Sequence, residues 1–403
     1  MNGILRNVLV PAALLSKGHG FQGERRADCL HGDLIVRDGR AQAMRATDAG
    51  ADPRHVILPA LTEVHVHLDK CHTAHRLPAV GGDLRKAIEA QANDRSNWTA
   101  DDLRGRMGRG LAELAAAGCG QLRSHVDWSD DARAPLAWSI LQEVAADAPL
   151  TVQASPLLGV DKLAREGLAD AIGRQARAGG VLGGFVLDHA DREAGVRAMF
   201  AAADRHGLAL DFHVDEGLEQ GLDGLALIAR VAVETRFEGP VICGHACSLM
   251  NLSGDALRQT LDVVARAGLF VAALPTTNLY LQDRDRGTPD RRGLTRLHEL
   301  RAAGVCTLIG TDNVRDAFCP VGRHDPRASL ALAVMAAHLD PPLGDHLPMI
   351  TTDAARALGL PKVEVDGATT ADLRAFDAGS TDELLAAPHP PHALEDLLER
   401  AEP

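Results

Sequence analysis

The chain has 403 residues, too many for one small domain; it suits one large barrel with an accessory unit, or two to three ordinary domains. Hydrophobic residues make up 46% and charged residues 24%, an ordinary globular balance, and aromatics at 3% leave the core to Ala, Leu, Val and Ile. A formal net charge of −13 argues against a general nucleic-acid binder.

The first residues, "MNGILRNVLVPAALL", lack a basic region followed by a long apolar run, so no signal peptide is expected. No apolar stretch is long enough to span a bilayer. Seven cysteines, an odd number without a C-x-x-C pair, argue against a disulfide framework or a structural zinc site and fit a reducing cytoplasm. Residues 1–57 carry short strand-like pieces, "GILRNVLV" and "DLIVRDG", with turn residues between them. Eight short apolar runs follow, at about 61–67, 120–126, 150–155, 181–187, 208–214, 240–245, 268–273 and 304–311. Helical pattern separates most of them. Four of the helices end at Gly118, Gly207, Gly268 and Gly304, where a helix terminus calls for a left-handed residue. Eight buried strands alternating with helices predict an α/β fold, a (β/α)8 TIM barrel over residues 58–358. Residues 359–403 give one strand-like piece, "ADLRAFDA", then "APHPPH" and a short helical tail, with no clear final strand pair. The two ends, 1–57 and 359–403, are expected to meet as a small β-sandwich-like unit beside the barrel.

In such a barrel the site forms where the strands end. The first strand ends in "HVHLDK", with His65 and His67 two apart and so on one face if the strand holds. The second ends in His125 and Asp127, and the fourth in Asp188 and His189. The fifth brings His213, Asp215 and Glu216, the sixth His245, and the eighth Asp312 and Asn313. Each alone has an ordinary explanation as a cap or a satisfied polar group. Gathered at one end of one barrel they point to a metal site, because buried ionisable groups must be paired or bound.

The pieces "HVHLDK", "RSHVD", "FHVDE", "GHACS", "LPTTNLYLQDR" with "RRGLTR", and "GTDNVRDAFCPVG" occur in order from about residue 58 to 330. In them the chain resembles the amidohydrolase superfamily, and within it the bacterial cytosine deaminases and their close relatives. The resemblance implies one divalent metal, zinc or iron, held by His65, His67, His213 and Asp312. It implies Glu216 and His245 as acid/base and water-orienting groups, with Asp312 also taking a proton. A metal with mostly neutral ligands lowers the pKa of bound water towards ~7, and Glu216, three residues beyond His213, is placed to protonate a ring nitrogen and then the leaving amine. The fourth strand, "GGFVLDHAD", offers no lysine or glutamate for a second metal. Lys70, Leu157, Asn278, Asn313 and Phe318 form the candidate substrate-binding set. Three of them depart from the cytosine deaminase pattern: Leu157 stands in place of a Gln, Asn313 in place of an Asp and Phe318 in place of a Trp. "DNVRD" also occurs in relatives acting on substituted triazines.

The expected activity is hydrolytic deamination of an amino-substituted nitrogen heterocycle, with water as co-substrate and cytosine itself disfavoured. The alternatives are hydrolysis of a cyclic amide or of an N-alkylamino heterocycle such as a triazine, and a catalytically idle metal-binding scaffold. No nucleic acid or membrane partner is expected, the location is expected to be cytoplasmic, and a homo-oligomer is compatible with the chain.

Overall fold

The computed structural model describes residues 1–47, 50–177, 180–284 and 287–399. Five strands come first: β1 (Gly3–Pro11), β2 (Glu24–Arg26), β3 (Cys29–Arg37), β4 (Arg40–Arg45) and β5 (His55–Pro59). Then β6 (Leu61–Val66), β7 (Cys119–Asp127), β8 (Thr151–Leu157), β9 (Val181–Val186), β10 (Ala209–Val214), β11 (Val241–His245), β12 (Phe270–Ala273) and β13 (Cys306–Ile309) overlap one with each of the eight apolar runs, β7 and β8 reaching one and two residues past theirs. Helices separate most of them, and Gly118, Gly207, Gly268 and Gly304 take positive φ at the turns that start β7, β10, β12 and β13.

These eight strands pair only in parallel, in two sheets ordered β6-β7-β8 and β13-β12-β11-β10-β9. Hydrogen bonds join the sheets at both gaps. Asp312 N donates to His65 O at 2.8 Å, and Phe185 N donates to Leu158 O at 2.9 Å. Where β6 faces β13 the ladder is interrupted by a side chain. The Glu63 carboxylate accepts from His65 N at 2.8 Å and from Thr311 N at 3.2 Å, so a backbone donor that a regular ladder would pair is satisfied by a carboxylate. Below the strand ends, Val64, Ile242, Ala272 and Leu308 form an apolar cluster closed by Ala354, Ala357 and Leu358. The strand interiors are thus packed, and polar groups collect at the C-terminal ends.

The two ends of the chain share one seven-stranded sheet, completed by β14 (Leu373–Phe376) and β15 (Pro391–Ala393). Its order is β15-β14-β5-β1-β3-β2, with β4 also on β3. β5 runs parallel to β1 and antiparallel to β14, so the strand leading into the first parallel sheet is held by both termini. The final strand β15 corrects the sequence expectation for "APHPPH". Pro391 opens a strand at the sheet edge, a position proline tolerates because its missing N–H is not needed there.

Candidate metal centre and active site

β6 is buried along its whole length, so the alternation of its side chains sends His65 towards the interior, and His67 follows just past the strand end. Gly244 and Gly310 make room for the His65 ring. A Cβ on Gly244 would lie 3.0 Å from His65 Cε1, and one on Gly310 would lie 3.0 Å from His65 Cβ. His213 on β10 places Nε2 3.0 Å from His67 Nε2. Asp312, just past β13, places Oδ1 3.2 Å from His67 Nε2 and 3.6 Å from His65 Nε2. The backbone at Asp215, His245 and Asp312 is left-handed, with φ of 51°, 69° and 59°. Strain of this kind at three strand ends is retained where surrounding structure fixes side chains for a task.

The donor set fits a metal. His65 Nε2 and both Asp312 oxygens are buried without a hydrogen-bond partner among the described residues. Burial, reinforced by neighbouring histidines, holds His65 and His213 well below the usual imidazole pKa, which keeps them neutral with lone pairs available. Burial works to raise the Asp312 carboxyl, but the close approach of His67 and the nearby His245 outweigh it and hold its pKa below the ordinary carboxylate value. Ligands about 2.0–2.2 Å from one centre stand roughly 3.0–3.5 Å apart, and the separations of 3.0, 3.2 and 3.6 Å match this within a tenth of an ångström.

His245 ends β11 and puts Nε2 3.6 Å from Glu216 Oε2. Burial raises the Glu216 pKa, and the Asp312 charge adds to it against the opposing His245. His67, His213, His245, Glu216 and Asp312 form the floor of a cavity of about 370 Å³. Its walls include Leu157, Phe185, Trp128 and Phe318. Lys70 lines it too, with Nζ 2.6 Å from Asp127 Oδ1 and 5.3 Å from the centre of the Phe318 ring. Arg95 Nη2 reaches Asp127 Oδ2 at 2.8 Å. Asn313 faces the cavity while its Nδ2 donates to Asp316 Oδ2 at 2.7 Å. Asn278 does not reach the cavity wall: it is buried behind His245, whose Nδ1 lies 3.0 Å from Asn278 Oδ1. Asp188 stands away from the cluster, exposed and 3.7 Å from Arg85.

Beneath the site lie His125, read from the sequence as a strand-end residue, and several groups not singled out from the sequence. His125 Nε2 is 3.2 Å from His65 Nδ1, and Arg123 pairs with Asp211 at 2.7 Å, both completely buried. The signal of Arg123 and Asp211 was a charged residue in the middle of an apolar strand, in "QLRSH" and "LDFH". Glu63 gave the same signal in "LTEVH". On the helix Leu84–Asp94, Gln91 lines the cavity and had no sequence signal.

A histidine and carboxylate cluster at the C-terminal ends of parallel strands, in a TIM-barrel-type α/β fold, is the arrangement of a metal-dependent hydrolase. The amidohydrolase family profile matches residues 79–393, and the chain belongs to that family. It is 36% identical over 400 residues to a pterin deaminase of Rhizobium rhizogenes, covering 96% of this chain and 90% of that one. Its fold is similar to the 5-methylcytosine deaminase of Klebsiella pneumoniae liganded with phosphonocytosine. That likeness has a TM-score of 0.79 and 23% identity, covering 96% of this chain and 95% of the other. The N-isopropylammelide isopropylaminohydrolase of Burkholderia multivorans gives a TM-score of 0.73 at 23% identity, covering 95% of each chain.

Proposed function

We propose that the chain hydrolytically deaminates an amino-substituted nitrogen heterocycle of pterin type, exchanging C–NH₂ for C=O with release of ammonia. The observation that carries this reading is the pairing of Glu216 with His245, 3.6 Å apart on the floor of the cavity beside the His/Asp cluster. An idle scaffold has no use for that pair. The 36% identity to a pterin deaminase supports the two-ring substrate, and the apolar Leu157 on the wall supports a pocket that does not favour cytosine.

In this reading His65, His67, His213 and Asp312 hold one divalent ion, zinc or iron. When bound, such an ion supplies the Lewis acidity that makes water a nucleophile near neutral pH. Asp312 accepts a proton from the attacking water. His245 Nε2 accepts a hydrogen bond from the same water and orients it for attack. Glu216, with its raised pKa, protonates a ring nitrogen of the substrate, then takes the remaining proton from the added hydroxyl and hands it to the departing amine as the carbonyl forms. Lys70, Asn313 and Phe318 contact the ring. The eight parallel strands close into a (β/α)8 barrel spanning residues 58–358, with a small β unit of residues 1–57 and 359–403, built on one sheet and not as a sandwich, beside it. The free cysteines support a cytoplasmic location.

The test is ammonia release from a panel of amino-pteridines, aminopyrimidines and N-alkylamino triazines with zinc- or iron-loaded protein. Pterins are expected to be turned over in the usual enzyme range, kcat/KM above ~10⁴ M⁻¹s⁻¹, and cytosine well below it. Amine release from alkylamino triazines alone, or efficient cytosine turnover, would overturn the substrate assignment.

A further inference from the structure

We infer that Asn278 is a positioning residue that fixes the tautomer and aim of His245. It sits on the helix Pro275–Leu281, directly after β12, with proline in the first turn. Its backbone N donates to Leu274 O at 3.0 Å, and its carbonyl accepts from Gln282 N at 3.1 Å, so its Cα is held by the helix at both groups. Its side chain is buried and absent from the cavity wall. That placement excludes direct contact with a substrate in the cavity. What Asn278 does contact is His245, with Oδ1 3.0 Å from Nδ1.

A neutral imidazole carries one proton, and an amide oxygen only accepts. In the neutral ring, an Nδ1–H donating to Asn278 Oδ1 leaves the lone pair on Nε2, the nitrogen on the cavity side. Nε2 has no hydrogen-bond partner among the described residues and faces Glu216 Oε2 at 3.6 Å. The backbone of His245 is held as well. Its left-handed φ of 69° costs energy in a residue with a Cβ, and its carbonyl accepts from Thr295 Oγ1 at 2.6 Å. Asn278 and Thr295 thus grip the ring and the main chain of one residue, both from the segment between β12 and β13. A group that works through one ring nitrogen needs the other fixed, because a rotated or tautomerised ring presents a proton where a lone pair is required.

The inference rests on reading His245 as the group that meets the attacking water, and the experiment separates the two. In metal-loaded protein, Asn278→Leu removes the acceptor at similar size, and Asn278→Asp keeps it. Asn278→Leu is expected to lower kcat roughly 10- to 100-fold, with KM little changed and metal content retained, while Asn278→Asp keeps most of kcat. In ¹⁵N-histidine-labelled wild-type protein, the His245 signal, identified by its loss in His245→Gln, is expected to show a protonated Nδ1. Wild-type kcat in Asn278→Leu, or a KM that rises in both variants, would overturn the assignment. So would a wild-type spectrum with the proton on Nε2, and that spectrum decides the tautomer even if no substrate is turned over or Asn278→Leu fails to fold.

Discussion

In the proposed reaction Glu216 is the residue on which the chemistry turns, because an amine leaves poorly until it is protonated. Burial raises its pKa above that of an ordinary carboxyl, and it lies past the end of β10, lining the cavity beside His213 and Asp312. Glu216→Gln keeps shape and hydrogen-bonding reach but cannot cycle a proton. The expected outcome is a loss in kcat of roughly 10²-fold or more with metal content unchanged, measured by steady-state kinetics beside metal analysis. A variant with normal kcat and slightly lowered stability would make Glu216 a mere support for the loop that follows. The ligand assignment has its own check. His65→Ala and Asp312→Ala are expected to come through purification with strongly reduced metal, and undiminished content in both would exclude that set. His65 and His67 were legible in the sequence through period-two alternation, His213 and Asp312 as strand-end residues, and the selection of these four as one ligand set came from the family resemblance. The contact of Asn278 with His245 was not legible, since nothing local says which way a helix after β12 directs one amide.

At the scale of elements, the strands are held to each other by charge as well as by ladders. Arg123 on β7 reaches Asp211 on β10 with Nη1, and Gln153 on β8 with Nη2 at 2.8 Å. Burial lifts Asp211 to about 6 in spite of this pair, which measures how costly an unpaired charge would be there. Arg123→Met strands the carboxylate and is expected to destabilise the fold by roughly 3–5 kcal/mol, read from urea denaturation. Adding Asp211→Leu is expected to recover much of the loss, because two apolar groups then fill the space. The eight apolar runs identified their strands, as buried parallel strands read continuously apolar. β15 escaped because Pro391, which opens it, and the prolines just before it argue locally for a break, and only the neighbouring β14 supplies an edge where Pro391 fits.

Across the whole molecule, histidines buried away from the site couple folding to pH. Burial pulls His72 down to about 4; Glu113 opposes this, and His324, Arg315 and Arg109 reinforce it. Between the ordinary histidine value of 6.5 and that of about 4, the unfolded chain binds a proton on His72 that the folded chain does not. Stability is therefore full above 6.5 and falls as pH drops through this window. The Tm is expected to decline on going from about pH 7 to about pH 5, and to decline less in His72→Gln. An unchanged decline in the variant would assign the effect to other buried histidines. The termini act at the same scale, since β1, β5 and β14 bind the start and end of the chain into one sheet.

From the sequence alone came the number and place of the parallel strands, the family resemblance and the histidine and carboxylate set, all of which depend on short-range pattern and on rules for where strands end. Tertiary structure alone decided which polar groups point into the cavity and which lie behind it. Leu157 and Phe318 reach the wall, Asn278 lies behind His245, Asp188 is left in solvent, and Arg123 finds Asp211 far along the chain. The physical reason is that a side chain's partner across a barrel is set by strand order, register and packing, none of which is written in the residues beside it.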